Sequence, residues 1–153
     1  MSFLGYAHWF RSIGISHVKD HSIFVHQGIY ATVIVAKYLF TTTDKAGARF
    51  YKTTLPSDLL FTKADASNSD EQVERITREL FIHYIACIAS LIYLLSTRVD
   101  LSFAVHKLET FSSNHGKVHF EVLVHLLRYI RENKNLGLNY YSDINDAPLS
   151  DLL

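Results

Sequence analysis

The apolar segment from Leu80 to Leu95 is the feature that most constrains the fold of this 153-residue chain. It is shorter than the roughly 20 residues that a membrane-spanning helix needs, and His83 within it would be costly to place in lipid. We therefore expect a helix buried in a protein core, and no membrane partner. The N-terminus lacks a basic stretch leading into a long apolar run, so no secretory signal is expected either.

Composition limits the chain to one main core. With 48% hydrophobic and 13% aromatic residues, it can bury one sizeable core but hardly two. Charged residues make up 20% and the formal net charge is zero, so any contact with nucleic acid must depend on local patches. Cys87 is the one cysteine and lies in an apolar run. It is typical of a buried, unreactive thiol in a reducing compartment, so we expect an intracellular protein, cytoplasmic or nuclear.

The N-terminal part predicts a hairpin followed by a helix. Tyr6–Ile15 alternates loosely, and the polar turn Lys19–His21 leads into a second short strand, Ser22–His26. From Gln27 to Phe40 apolar side chains recur three and four residues apart, which favours a helix. The β-branched run Val33–Val35 leaves an extension of the sheet open. The apolar positions that carry the helical spacing are Ile29, Val33, Val35 and Ala36 with Leu39 or Phe40.

A connector and a helix start follow. Thr41 to Asn68 shows no sustained period and predicts an irregular connector. Ser69 with Gln72 three residues later matches a capping box, which predicts that a helix begins there. That helix either continues through the apolar segment or breaks near Phe81 into an exposed helix and a buried one.

Two further helices and a strand complete the chain. Asp100 is the predicted N-cap of the first of these helices. Asn114–Gly116, whose Asn and Gly tolerate a positive φ, is a stop signal that ends this helix. The second helix is predicted over Lys117–Asn133. Leu136–Tyr141 predicts a short strand, and Ser142–Leu153 an acidic tail. The apolar positions are Leu101, Ala104, Val105, Leu108 and Phe111 in the first helix and Val122, Leu123, Leu126, Leu127 and Ile130 in the second.

These elements together predict an α+β fold, in which an N-terminal β-hairpin precedes a bundle of three to four helices and a short C-terminal strand. We divide the chain into a hairpin and helix (1–40), an irregular connector (41–69), a helical region (70–138) and an acidic linker or tail (139–153).

No pattern predicts a metal site, a cofactor or a catalytic set. His115 and His119 have the spacing of a zinc pair on a helix, with His125 near, but no glutamate follows the first histidine and no cysteine ligand accompanies them. Asp143 and Asp146 could hold a hard cation but lack a third ligand. A metal-dependent hydrolase built on these histidines and Asp143 stays an alternative, and zinc in the purified protein would reveal it.

The C-terminal half has a modest excess of basic residues, since positions 98 to 138 include six basic residues and four acidic ones. The candidate residues for nucleic-acid contact are Arg98, Lys107, His125, Arg128 and Arg131. The last three share a side of the final helix opposite its apolar stripe, which could lay guanidinium groups along phosphates. A solvated helix face explains that side equally well. Arg98 could instead pair with Asp100 or with Glu109, and the sequence favours neither.

Several motifs resemble the end of a copia-type retrotransposon reverse transcriptase. Residues 84–106 contain Ala-Ser-Leu-Ile-Tyr-Leu, then Thr-Arg-Val-Asp-Leu and Ala-Val-His, and Leu127-Arg-Tyr-Ile130 follows. The family reads Gly-Ser-Leu-x-Tyr-Leu, Thr-Arg-Pro-Asp-Ile, Ala-Val and Leu-Arg-Tyr-Leu. Phe3-Leu-Gly5 and Gln27-x-x-Tyr30 are similar to earlier family motifs. The chain departs from the family at Ala89 (Gly) and Val99 (Pro). In the family's Pro-x-x-x-His-Trp motif it keeps the histidine as His119 but has His115 for the proline and Phe120 for the tryptophan.

The resemblance implies a polymerase piece without its chemistry. The family holds Mg²⁺ with a Tyr-x-Asp-Asp turn, and this sequence contains no adjacent aspartate pair. The hairpin would then join the palm sheet, and the helices would be the thumb and connection that position an RNA–DNA duplex through its backbone. Partners would be that duplex and the missing palm and ribonuclease H domains. Self-association through apolar surface around Trp9 and Phe10, a helical protein-interaction module, or a relic reading frame without a present task are the alternatives.

Overall fold

The computed structural model describes residues 8–17, 22–39, 51–56, 62, 65–66, 70–80 and 83–141. Within them the strands are β1 (Trp9–Phe10), β2 (Ile13–His17), β3 (Ile23–His26) and β4 (Gly137–Tyr140). The helices are α1 (Gly28–Leu39), α2 (Asp70–Leu80), α3 (Tyr84–Leu94), α4 (Ser102–Glu109) and α5 (Lys117–Glu132), with a 3-10 turn at Val99–Leu101 before α4. The predicted α+β fold, an N-terminal hairpin followed by helices, is confirmed.

The sheet is antiparallel throughout, in the order β1-β2-β3-β4. The hairpin between β2 and β3 is confirmed, but a single strand over Tyr6–Ile15 is wrong, because the chain reverses at Arg11 and Ser12. These two residues have φ of 45° and 64°, as a tight two-residue hairpin turn requires. Glycine or asparagine usually marks such a turn, so the sequence carried no signal for it.

The strand β4 pairs with β3 and forms the edge of the sheet opposite β1. It confirms the strand predicted near Leu136–Tyr141, and its Leu138 lies opposite Val25 of β3. Because β3 and β4 pair, the hairpin region and the helical region share one sheet. Positions 139 and 140, which the sequence division gave to the tail, belong to β4. Residues 142–153 lie outside the described part of the chain.

The core lies between α1, α3, α4 and α5. Every apolar position predicted for the last two helices is buried, and all five of those on α5 are fully inaccessible. The helix α1 is confirmed and the sheet extension is wrong. Of the predicted apolar positions Leu39 is buried and Val35 is partly buried, but Ile29, Val33 and Ala36 are exposed. The other buried side chains of α1 are those of Ala31, Ile34 and Tyr38. Apolar residues of α1 are present on every side of the helix, so their spacing predicted a helix without indicating which side faces inward.

The long helix predicted as one alternative is interrupted. His83 has an extended backbone (φ −79°, ψ 100°), which separates α2 from α3. The side chains of Glu71, Glu74 and Arg78 on α2 are exposed, whereas α3 buries one whole side. The structure therefore has the exposed helix and the buried helix of the second alternative. Ser69 lies outside the described residues, and in the described ranges no helix has the length and apolarity of a bilayer span.

Two predicted helix signals act differently in the structure. Asp100 is not the N-cap of α4, because Leu101 occupies that position and the Asp100 carboxylate binds Arg98 instead. The stop signal Asn114–Gly116 does lie between α4 and α5, but it acts without a positive φ at Gly116, which has φ −104° and caps the start of α5. Glycine is required there for space, because a Cβ atom at position 116 would collide with the carbonyl oxygen of Asp65.

Candidate nucleic-acid interface and the polar junction behind it

Arg98 is the buried centre of a polar junction, which we define as Gln27, Ser96, Thr97, Arg98, Asp100, Tyr129 and Asn133. Its residue surface is only 2% exposed. Nε and Nη2 of the guanidinium donate to the two oxygens of Asp100, both at 2.8 Å, and Nη1 donates to the carbonyl oxygen of Asn133 at 2.8 Å. Of the two pairings left open, the structure has the one with Asp100. The fold therefore encloses Arg98 and engages its guanidinium inside the protein, so that it is not presented to an external phosphate.

The charge on Asp100 is shared with a tyrosine. The Tyr129 hydroxyl donates to Asp100 Oδ2 at 3.1 Å, and the Arg98 Cζ atom lies 5.8 Å from the Tyr129 ring centre. Partial burial raises the pKa of Asp100, but the hydrogen bonds and charge of Arg98 outweigh burial and hold that pKa below its ordinary value. Burial and the neighbouring carboxylate raise the pKa of Tyr129. The junction thus keeps a charged pair that links the end of α3 to the end of α5.

Gln27 connects the start of α1 to the same junction. It is 1% exposed, and its Oε1 accepts hydrogen bonds from Ser96 Oγ at 3.1 Å and Thr97 Oγ1 at 2.9 Å. Both hydroxyls directly follow α3. Because buried amides and hydroxyls are costly to leave unpaired, these bonds fix α1 against the chain that leaves α3.

A group of tyrosines joins α1, α3 and the β1–β2 turn. The Tyr30 hydroxyl donates to the carbonyl oxygen of Ser90 at 3.3 Å, and the Tyr38 hydroxyl lies 3.4 Å from Ser90 Oγ. Tyr93 packs edge-on against Tyr30, with ring centres 5.1 Å apart, and its hydroxyl donates to the carbonyl oxygen of Arg11 at 2.6 Å. The positive-φ turn is therefore held against α3 by a direct hydrogen bond.

The basic side of α5 is partly covered by residues 51–56. His125 Nε2 donates to the carbonyl oxygen of Thr53 at 2.9 Å, and the His125 ring contacts the Tyr51 ring edge-on. Arg128 Nη1 donates to the Tyr51 hydroxyl at 3.1 Å. His125 and Arg128 do lie away from the apolar stripe, as the spacing predicted. They anchor Tyr51 on α5, so any phosphate contact would have to form beside that ring.

The remaining two candidates are more open to solvent. The Arg131 side chain is 40% exposed, with Nε at 3.3 Å from Glu132 Oε1. Lys107 is exposed on α4. These two cations are the members of the predicted set that are placed best to meet an external phosphate.

The three histidines considered as zinc ligands do not converge. His115 stacks on Tyr84, with ring centres 4.3 Å apart, and His119 is fully buried with Nδ1 accepting the Gly116 N–H at 2.9 Å. Burial lowers the pKa of both. His125 faces the 51–56 segment instead. Among the described residues no three His, Cys, Asp or Glu side chains form a group that could hold a metal ion, and Asp143 and Asp146 lie outside those residues.

Cys87 is confirmed as a buried free thiol. It is 0% exposed on α3, and burial raises its pKa far above the ordinary value. A thiol that stays protonated is a poor nucleophile and metal ligand, which fits the structural role expected from the sequence.

Comparison with known proteins adds no relative to these observations. No protein-family model, curated protein or solved structure matches the chain. What can be said of its function depends on the residues and contacts described above.

Proposed function

We propose that this chain is a non-catalytic part of a copia-type retrotransposon reverse transcriptase and that it positions an RNA–DNA duplex through its backbone. The supporting observation is that residues from separate resembling motifs contact one another, some of them 70 positions apart in sequence. The contacts are those of Gln27 with Thr97 and of Tyr30 with Ser90. A chance likeness of short motifs would give no reason for them to meet in the fold.

The departures from the family pattern also suit their surroundings. Val99, where the family has proline, is the first residue of the 3-10 turn and is 62% exposed. Proline is favoured at the first position of a helix, so either residue fits there. Ala89, in place of glycine, is on the exposed side of α3, and Phe120, in place of tryptophan, is fully buried in the core. These substitutions preserve helix geometry and an aromatic core position.

The chain would lack the polymerase chemistry itself. Strand synthesis requires carboxylates that hold two Mg²⁺ ions, and the sequence contains no adjacent aspartate pair. Catalysis would then reside in a palm domain, with a ribonuclease H domain as the other partner of the parent polyprotein. The reduced, buried Cys87 fits an intracellular site of action, cytoplasmic or nuclear.

Lys107 and Arg131 would make the outer contacts with the duplex. His125 and Arg128 would contact phosphate beside the Tyr51 ring. Arg98 would act only by holding the helices in place. This division gives a small number of phosphate contacts, and therefore a modest affinity that depends on salt.

Duplex binding across salt tests this proposal. Fluorescence anisotropy with a labelled RNA–DNA duplex between about 50 and 200 mM salt should give affinity that falls with a log–log slope of roughly 0.9 for each phosphate contact. Arg78→Gln on α2 is the control, since Arg78 is an exposed arginine outside the predicted set, and it should leave the slope unchanged. Absence of binding at the lowest salt would reject the duplex role. Primer extension by the purified chain that chelators abolish would reject the non-catalytic assignment.

A helical protein-interaction module is the second candidate, and exposed apolar side chains favour it. Ile29 and Val33 on α1 and Ile85 and Ile92 on α3 are each at least 40% exposed. Such surface is typical of protein contacts. Sedimentation velocity should then show concentration-dependent self-association that Val33→Glu weakens, and a chain that stays monomeric would remove the self-associating form of this candidate.

A further inference from the structure

The outward side of α4 carries an aromatic ring that the fold does not use. We define the α4 face as Ser102, Phe103, His106, Lys107 and Thr110, which line a shallow groove of about 450 Å³. Phe103 is 73% exposed. The opposite side of α4 is occupied by fully buried Ala104, Val105 and Leu108, so Phe103 cannot turn inward without displacing the core. The ring is available for a contact from outside.

The chemistry of the α4 face combines this ring with nitrogen groups. Helical spacing of three and four residues places His106 and Lys107 beside Phe103. None of the residues that line the groove is acidic. His106 Nδ1 lies 2.8 Å from the carbonyl oxygen of Ser102, which fixes the imidazole ring against the helix. A ligand that suits this face offers a flat apolar surface next to a negative charge.

We propose that the α4 face binds a single-stranded stretch of nucleic acid, with one base stacked on Phe103 and the adjacent phosphate on Lys107. This inference rests on the proposed function and extends it to unpaired template or primer. An unpaired base exposes both of its faces, whereas a paired base inside a duplex is already stacked on its neighbours. An acidic peptide would meet Lys107, but its carboxylates would leave the Phe103 ring without a stacking partner.

The test compares two labelled oligonucleotides of equal charge. One is an oligothymidine of about 12 nucleotides, within the range of known single-strand sites, and the other is an abasic strand of the same length. The unmodified chain should bind oligothymidine about tenfold more tightly, since a base stacked on an aromatic side chain supplies a contact that an abasic sugar lacks.

Two variants separate the ring from the charge. Phe103→Leu should remove the preference for oligothymidine while leaving the abasic strand unaffected. Lys107→Gln should weaken both strands and lower the log–log salt slope by roughly 0.7. Ile29→Ala is the matched control, because Ile29 is an apolar residue of similar exposure on α1, and it should change neither affinity.

The outcomes also distinguish this inference from the duplex role. If Phe103→Leu binds both strands like the unmodified chain, the α4 face is rejected, while salt-dependent duplex binding would still support the proposed function. If oligothymidine binds through Phe103 but the RNA–DNA duplex does not bind, the α4 face stands and the duplex role fails. Binding of an oligoglutamate peptide through Phe103 and Lys107, without any binding of oligothymidine, would overturn the inference.

Discussion

Arg98 and Arg131 have the same side chain but opposite surroundings. Arg98 is enclosed with both Asp100 oxygens and a backbone carbonyl as partners, whereas Arg131 lies at the surface beside Glu132. The sequence alone predicted both for nucleic-acid contact. The difference teaches that the positive charge of an arginine serves recognition only where the fold leaves its guanidinium in solvent, and that an aspartate two residues away can direct it inward.

Replacing Arg98 gives the largest expected effect. Arg98→Met should lower the free energy of unfolding by about 3 kcal/mol, because it removes the cation that pairs with the Asp100 carboxylate, leaves that carboxylate with the Tyr129 hydroxyl as its remaining side-chain donor, and takes the Nη1 donor from the Asn133 carbonyl. Chemical denaturation followed by circular dichroism measures this. Arg78→Met, in the exposed pair with Glu74, is the matched control and should leave the midpoint unchanged. Equal effects of the two variants would contradict the contrast between buried and exposed arginines.

Acidification should act on the buried histidines rather than on the exposed basic side. Burial lowers the pKa of His115 and His119 below their ordinary 6.5, although nearby Asp65 partly opposes this for His119. The unfolded chain therefore takes up protons first as pH falls. Stability should be complete above about pH 6.5 and should decrease as the pH falls below that value.

The measurement is denaturation at a series of pH values. His119→Asn can still accept the Gly116 N–H through its amide oxygen, but it does not titrate, so it should flatten the dependence. Asp100 contributes to a separate, more acidic window, since its unfolded value is 3.8 and its folded pKa is lower. An unmodified chain whose stability is constant from about pH 7 to 5.5 would show that the buried histidines are not held neutral.

The hydrogen bond from Thr97 to Gln27 should have a smaller effect. Thr97→Val removes the hydroxyl that donates to Gln27 Oε1 in a fully enclosed site, and we expect a loss of about 1 kcal/mol in unfolding free energy. Thr110→Val, at the exposed C-cap of α4, also removes a donated hydrogen bond and should change stability less. Thermal unfolding of the two variants compares them directly, and a larger loss for Thr110→Val would be inconsistent with the junction.

Arg131→Gln should leave unfolding unaffected and alter only binding. Because Arg131 is at the surface, the variant should lower the log–log salt slope of duplex binding by roughly 0.9. Anisotropy titrations at several salt concentrations measure this. A lower melting temperature with an unchanged slope would reverse the roles that we assign to Arg98 and Arg131.

Helix positions could be predicted where apolar residues occupy one side only. On α5 the apolar residues Leu123 and Leu127 repeat with helical spacing, and polar residues occupy the opposite side of the helix. The same holds for Leu101, just before α4, and Leu108 on it. In both cases the sequence predicted the helix and also its buried side. On α1 the spacing predicted a helix, but Ile29 is as apolar as the buried residues around it. Direction there depends on packing against α3 and α5, which no local pattern reports.

The site was less predictable because its residues contact partners that lie far away in the sequence. The contacts of Gln27 with Thr97 and of Tyr93 with Arg11 join segments that are far apart in the chain. The motif likeness had marked Gln27 and Thr97 separately without linking them. Arg98 was ambiguous because pairing with Asp100 and contact with phosphate require the same charge. Its burial could be settled only by the positions of α3 and α5.

The pairing of β3 with β4 has a consequence for biosynthesis. Residues 23–26 leave the ribosome about three quarters of a chain length before residues 137–140, which complete their sheet. At typical translation rates this interval is on the order of ten seconds. During that time one edge of β3 has no neighbour to satisfy its backbone, so nascent chains are exposed to aberrant strand addition, and folding efficiency should depend on chaperones and on the speed of elongation.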